Sequence, residues 1–191
     1  SCGQNAISDY NTGIDLMDDG KYEEAITVLT DGINRKHIAS QRSYYGRASC
    51  YYFLKKYDLA VKDIDEGLAT KTINHFELNR DLYWLQGRIA DVKKDTFLEL
   101  ESYQKAMSYD SENPYLLSTI GLLYIELSDY KEAVDALTKA IEINDQDAYA
   151  YNNLALAYLK LDLIELAFKN LELSKRYDSK NPFLYENYYY A

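Results

Sequence analysis

The apolar and polar positions of this chain repeat themselves. A polar turn, an aromatic residue and then an alanine occur at Gly20-Lys21-Tyr22-Glu23-Glu24-Ala25-Ile26 and again at Ser128-Asp129-Tyr130-Lys131-Glu132-Ala133-Val134, with a relative at Lys56-Tyr57-Asp58-Leu59-Ala60-Val61. Each opens a helix after a short turn. About twelve residues upstream of each alanine position sits a small residue, at Gly13, Ala48, Gly87, Gly121 and Ala155, and these are 35, 39, 34 and 34 residues apart. Two antiparallel helices joined by a tight turn come close only where side chains are small, so glycine and alanine are expected at the crossing. Tyr, Leu and Ile would then fill the space between one hairpin and the next, each hairpin covering a face its neighbour cannot cover alone.

A 34-residue period with a small residue in the first helix and an alanine opening the second resembles the tetratricopeptide repeat family. The resemblance implies an all-α fold, a right-handed α-solenoid of antiparallel helix pairs. Its frame places five repeats at 6–39, 41–74, 80–113, 114–147 and 148–181, preceded by a short segment 1–5 and followed by a capping helix over 182–191. The eighth position is small in all five repeats. The twentieth is Ala25, Ala60, Ala133 and Ala167, with Glu99 as the departure. The twenty-seventh is Gly32, Gly67, Ala106, Ala140 and Ser174, and the eleventh is Leu16, Tyr51, Tyr124 and Tyr158, with Ala90 as the exception.

Other departures fall in the middle of the chain. Arg47 and Gln86 stand where the family usually has an aliphatic residue, and five extra residues, His75 to Asn79, precede the third repeat. Burying Glu99 without a partner would be costly. The third hairpin is therefore expected to be distorted, or Glu99 to reach a cation or solvent. Asn113-Pro114 and Asn181-Pro182 read as an N-cap followed by the first helical residue.

Charge and composition narrow the class. The 191 residues carry 31 acidic and 21 basic side chains, a formal net charge of −10. Basic residues adjoin only in pairs, so the dense positive stripe that tracks phosphates is missing, and nucleic acid is not an expected partner. The longest mostly apolar stretch, Tyr115 to Leu127, is too short to cross a bilayer. The opening Ser1-Cys2-Gly3 resembles a bacterial lipoprotein junction. It points to lipidation of Cys2 and a periplasm-facing place in the bacterial cell envelope, against an incidental terminal cysteine and a cytoplasmic location.

Catalytic constellations are scarce. His37 and His75 lie between repeats, away from cysteines or paired carboxylates, so neither a metal site nor any other cofactor is expected. Cys50 falls at a small buried position and reads as packing rather than as a nucleophile. No phosphate-cradling glycine loop and no Gly-x-Ser-x-Gly is present. A non-enzymatic binding scaffold is the expectation, and an enzyme with an unrecognised site the remote alternative.

The family resemblance also implies a concave surface, lined by the second, fifth, ninth and twelfth positions of each repeat. Carried over, these are Ile7, Tyr10, Ile14 and Met17; Arg42, Tyr45, Ser49 and Tyr52; Asp81, Trp84, Arg88 and Asp91; Tyr115, Ser118, Leu122 and Ile125; and Tyr149, Asn152, Leu156 and Leu159. The face is aromatic and apolar over much of its length, with Arg42, Arg88, Asn152 and Asn153 as polar points that would orient a peptide or a carboxylate. The Lys and Asn pair with which chaperone-binding members grip terminal carboxylates is missing: Tyr10 with Ile14, Tyr45 with Ser49 and Trp84 with Arg88 occupy those places. The expected partner is a protein or peptide held mainly by apolar and aromatic contacts. Self-association through the groove or the tyrosine-rich tail is the alternative.

Overall fold

Small residues set where the helices of this structure, a computed structural model, cross. It describes residues 2–35, 40–70 and 76–178, with side chains from Ser8 onward. The described residues form α-helices joined by short turns, in two compact units, 1–109 and 110–191. The first unit holds α1 (Cys2–Asp18), α2 (Tyr22–Asn34), α3 (Ser40–Phe53), α4 (Tyr57–Ala69), α5 (Phe76–Lys93) and α6 (Thr96–Met107). The second holds α7 (Pro114–Glu126), α8 (Tyr130–Ile143), α9 (Ala148–Lys160) and α10 (Ile164–Tyr177). Hairpins α1/α2, α3/α4 and α5/α6 follow one another in the first unit, α7/α8 and α9/α10 in the second.

Within every hairpin the eighth repeat position meets the residue sixteen further on. A Cβ on Gly13 would lie 2.6 Å from Leu29 Cγ, and one on Gly121 would lie 2.5 Å from Leu137 Cγ. Gly87 is pressed as closely against the ring of Tyr103. Ala48 with Ile64, and Ala155 with Leu171, fill the same two places and are fully buried. The larger partner drops into the gap that the small one leaves, which holds the two helices at one crossing. A second set of small residues serves the next contact. Gly32 of α2 faces Ser43 of α3, and Gly67 of α4 faces Leu82 of α5. First helices of successive repeats also touch: α1 with α3 and α3 with α5, and separately α7 with α9.

Turns inside the hairpins repeat to the atom. Gly20, Lys55, Lys94, Ser128 and Asp162 all take left-handed backbone, with φ of 75°, 58°, 61°, 66° and 60°. The amide one residue later donates back across the helix end: Lys21 to the Leu16 carbonyl at 2.8 Å, Lys56 to Tyr51 at 2.8 Å, Asp95 to Ala90 at 3.0 Å, Asp129 to Tyr124 at 2.8 Å and Leu163 to Tyr158 at 2.9 Å. This is the Schellman closure, which suits glycine best because a Cβ strains left-handed backbone. Only the first hairpin uses one. Because the acceptor is a main-chain carbonyl, Ala90 serves as well as the large residues at its place.

Arg47 and Gln86, the two polar intruders, are answered across the hairpin by polar residues at the same sixteen-residue offset. The Arg47 guanidinium forks onto Asp63, Nε to Oδ2 and Nη2 to Oδ1 both at 2.7 Å, and Nη1 donates to Thr30 Oγ1 at 2.9 Å. Asp63 is 3% exposed. Ser102 Oγ donates to Gln86 Oε1 at 3.1 Å.

The third hairpin is regular. α6 is a continuous helix whose N-terminus is capped by Asp95, accepting from the Leu98 amide at 3.0 Å. Glu99 is buried on it, 9% exposed, without breaking it. Of the extra residues before the repeat, Phe76 to Asn79 add a turn to the start of α5, since none of them is a helix breaker. Leu78 of that turn joins the core shared with Leu82, Leu85 and Ile89. Helix α1 likewise begins at Cys2, so residues 2–5 belong to it rather than to a separate leading segment. Asn113 caps α7 through the Leu116 amide at 3.1 Å, with Pro114 as first helical residue. The side chains of Cys2 and Ile7, the histidines His37 and His75, and the expected cap over 182–191 lie outside the described residues.

Two stability measurements follow from this packing. Ser128→Gly should stabilise the chain by about 0.5–1 kcal/mol in urea unfolding, because it relieves a left-handed serine at some cost in unfolded-chain entropy; a lower midpoint would contradict the turn geometry. Asp63→Ala should cost about 3 kcal/mol by stranding the Arg47 guanidinium. Arg47→Leu combined with Asp63→Ala should recover most of that loss, and simple additivity of the two single changes would refute the pairing.

Candidate functional site

The inner-face positions of the first unit gather into two clusters on neighbouring first helices. Tyr10 of α1, Arg42 and Tyr45 of α3, and Phe76, Glu77, Leu78 and Asp81 of α5 line a cavity of about 650 Å³. The Arg42 guanidinium lies over the Tyr10 ring, 6.0 Å from its centroid. Burial raises the phenol pKa of Tyr10, Arg42 opposing and Asp81 reinforcing the shift. Tyr45 is raised as well, by burial first and then by Asp81. Asp81 Oδ1 accepts from Arg80 Nε at 2.9 Å and Nη2 at 2.8 Å. Phe76 is 64% exposed and leans against Tyr109, ring centroids 6.2 Å apart.

The second cluster joins Tyr52 of α3 to Trp84 and Arg88 of α5. The Arg88 guanidinium sits 4.9 Å from the Trp84 ring and 5.3 Å from the Tyr52 ring, and its Nη2 donates to the Tyr52 hydroxyl at 2.9 Å. Tyr52 meets Phe53 and Tyr57 edge-on at 5.7 and 5.9 Å, and Phe53 stacks on Tyr22 at 5.1 Å. Such a lattice of rings keeps the guanidinium in place while leaving it part-exposed. Ile14 and Met17 contribute differently. Ile14 reaches Gly46 of α3, and Met17 packs on the Ala25, Leu29 and Cys50 cluster, so both serve the contact between repeats.

In the second unit the expected residues separate by burial. Tyr115 is 67% and Tyr149 37% exposed, and Leu122 is half-buried. Partial burial raises the Tyr149 phenol pKa, with the Asn153 amide opposing and Tyr115 reinforcing. Asn152 and Asn153 are 1% and 4% exposed, so in this structure they are interior residues of α9 and present little to a partner. Sequence reasoning passed over Phe76, Glu77 and Leu78, although the extra residues before the third repeat were the visible signal.

Reactive groups are scarce. Cys50 is fully buried, and burial pushes its thiol up to about 12, leaving essentially no thiolate at neutral pH. Among the described residues no group of three or more His, Cys, Asp or Glu is placed to hold a metal ion. No helix of the described residues is long and apolar enough to cross a membrane.

Stacked helical hairpins with an aromatic face on their first helices define a repeat scaffold for binding other proteins. A tetratricopeptide repeat model matches residues 10–76 and a second model of that repeat matches residues 121–162. The chain belongs to the tetratricopeptide repeat family. It is 32% identical over 120 residues to the BBSome complex member BBS4 of Bos taurus, covering 62% of this chain and 21% of that one. It is 25% identical over 158 residues to the TPR repeat-containing protein MJ1428 of Methanocaldococcus jannaschii, covering 80% of this chain and 26% of the relative. The chain thus spans only about a quarter or less of the length of these relatives. Among solved structures it is similar in fold to YrrB, described as a TPR protein with an unusual peptide-binding site, at a TM-score of 0.82 and 17% identity over 98% of this chain and 93% of that one. It is also similar to MamA, at 0.77 and 16% identity over 93% and 94%.

Burial of Cys50 makes its chemistry a reporter of unfolding. In a Cys2→Ser background, an aromatic disulfide reagent at neutral pH should leave Cys50 unmodified in native buffer and label it at the denaturant concentration where helicity is lost. Rapid labelling of the folded protein would contradict the packing.

Proposed function

We propose that the first unit binds a peptide segment of another protein in the cavity between α1, α3 and α5. The observation that carries this reading is the cavity itself: about 650 Å³, lined by Tyr10, Tyr45 and Phe76 together with the charged Arg42, Glu77 and Asp81. Tyrosine and phenylalanine offer large rigid contact areas at little cost in conformational entropy, and aromatic residues dominate measured interface energies. Charged side chains around the rings supply orientation and discrimination more than affinity. The peptide-binding description of YrrB, a fold neighbour over nearly the whole chain, supports the same kind of ligand.

Self-association is the second reading, favoured by a separate feature of the second unit. Leu163, Ile164, Leu166 and Phe168 on and beside the start of α10 are 38–44% exposed, a run of apolar surface of the sort that joins copies. Light scattering across a wide concentration range decides it, a concentration-independent monomer excluding it.

Selection of displayed peptides on the immobilised chain tests the first reading. Tyr45→Ala and Phe76→Ala should each weaken the selected peptides roughly tenfold or more, with the folded fraction unchanged by circular dichroism. Selected peptides that bind both variants as tightly as the parent protein would show that this face is not the site.

A further inference from the structure

We propose that Arg88 is a receptor for a carboxylate of the bound peptide, held ready by Trp84 and Tyr52. The inference rests on the peptide-binding reading of this face and names the group the face selects.

Several cations of this unit are held in ion pairs, although among the described residues Arg42, Lys55, Lys56 and Lys62 are not. Arg47 is paired with Asp63, Arg80 with Asp81, Lys93 with Asp58, Lys94 with Asp91 and Lys105 with Glu101. These pairs take up the acidic residues nearest to Arg88 in sequence, Asp81 and Asp91, and acids on the adjoining helices α4 and α6. Helix α3, which carries the Tyr52 side of the cluster, has no acidic residue at all. Arg88 is in no ion pair among the described residues; its polar partner there is the Tyr52 hydroxyl. A guanidinium without a counter-ion, in a chain of net charge −10, needs a reason to stay unpaired.

The rings supply that reason. With Trp84 at 4.9 Å and Tyr52 at 5.3 Å, the charge is stabilised by aromatic quadrupoles, and among the described residues its guanidinium donates only to the Tyr52 hydroxyl. Planar, oriented N–H groups on a fixed guanidinium match the two oxygens of a carboxylate, and little rotamer entropy remains to be lost on binding. Arg42 is the weaker candidate, because the carboxylates of Asp81 and Glu77 line the same cavity and would repel an acidic group there. The chain's overall negative charge repels an acidic ligand at long range, so recognition at Arg88 depends on short-range hydrogen-bond geometry.

The carboxylate could come from a peptide C-terminus or from an acidic side chain, and three small probes separate these: N-acetyl-Phe-Leu-Phe as the free acid, the same peptide as its amide, and N-acetyl-Phe-Glu-Phe amide. Trp84, the only tryptophan in the chain, reports binding by its fluorescence, with calorimetry as the second readout. At least one acidic probe should bind roughly tenfold tighter than the neutral amide, and the one that does names the source. Arg88→Lys and Arg88→Gln should both erase that advantage, the lysine variant because it keeps the charge but loses the fork. Tyr52→Phe, which keeps the ring and removes the hydroxyl, should cut the advantage a few-fold and leave the neutral amide unaffected, as a positioning residue would. Equal affinity for all three probes, or an acidic preference that survives Arg88→Gln, overturns the carboxylate receptor while leaving the groove intact. Silence of Trp84 and of the calorimeter toward all three also overturns it, and the displayed-peptide selection then judges the groove separately.

Discussion

The close approach of the two helices in each hairpin is the constraint on which the rest of this structure depends. At Gly13, Gly87 and Gly121 there is no room even for a methyl group against Leu29, Tyr103 and Leu137. Ala48 and Ala155 show that a methyl group is admitted where the facing residue is Ile64 or Leu171. One contact of this kind fixes the crossing point and the relative slide of both helices, since moving by a residue would drive a large side chain into backbone. Everything further out inherits that register. The left-handed turns at Gly20, Lys55, Lys94, Ser128 and Asp162 are the closure that this slide requires, and four of the five accept a side chain there. The strain is tolerated because packing on either side over-determines the turn.

Polar residues enter the same scheme under the same rule. Arg47 and Gln86 lie one residue before the small position, where they face α4 and α6 directly, and each meets a complementary partner, Asp63 and Ser102. A buried Arg–Asp pair is weak evidence for added stability, because desolvation consumes much of the attraction. What it adds here is conditional: in any other register both charges would be buried alone. The pair therefore penalises misaligned hairpins more than it rewards the native one.

How far the structure could be read from the sequence depends on which of these layers is asked about. Repeat spacing and the helical hairpins were legible because the small residues recur wherever backbones touch. The Arg47–Asp63 and Gln86–Ser102 pairs were legible in principle, since both sit sixteen residues apart, the offset of Gly13 and Leu29; treating Arg47 and Gln86 singly, as departures from a family pattern, concealed their partners. The turn conformation was not legible, because lysine, serine and aspartate at four of the five sites give no sign of left-handed backbone. Glu99 looked like a threat to α6 yet is buried on an unbroken helix, so the composition of one position said little about the element around it. Among the candidate binding residues the frame named one stripe of positions along the first helices. It could not tell Tyr115, which is open to solvent, from Asn152, which is interior, because burial is settled by neighbours that a repeat frame does not contain.

A division of labour between helix faces explains why aromatic residues are so plentiful here, 21 tyrosines in 191 residues. The face toward the partner helix must be small and large in alternation, and it is mostly aliphatic apart from Tyr103 and the Arg47–Asp63 and Gln86–Ser102 pairs. On the peptide-binding reading proposed above, the face shared by α1, α3 and α5 has a different task, since it must be stable both bare and covered. Leucine there would favour burial and drive collapse or aggregation, while lysine or glutamate would pay heavily in entropy and desolvation when a partner arrived. Tyrosine tolerates both states, packing its ring on neighbouring helices while its hydroxyl stays hydrated. Tyr52 shows the packed ring and its polar handle in one side chain: its ring meets Phe53, Tyr57 and the Arg88 guanidinium, and its hydroxyl accepts from Arg88. On that reading, a surface built in this way is ordered before a ligand reaches it, so little binding free energy would be spent on arranging the site.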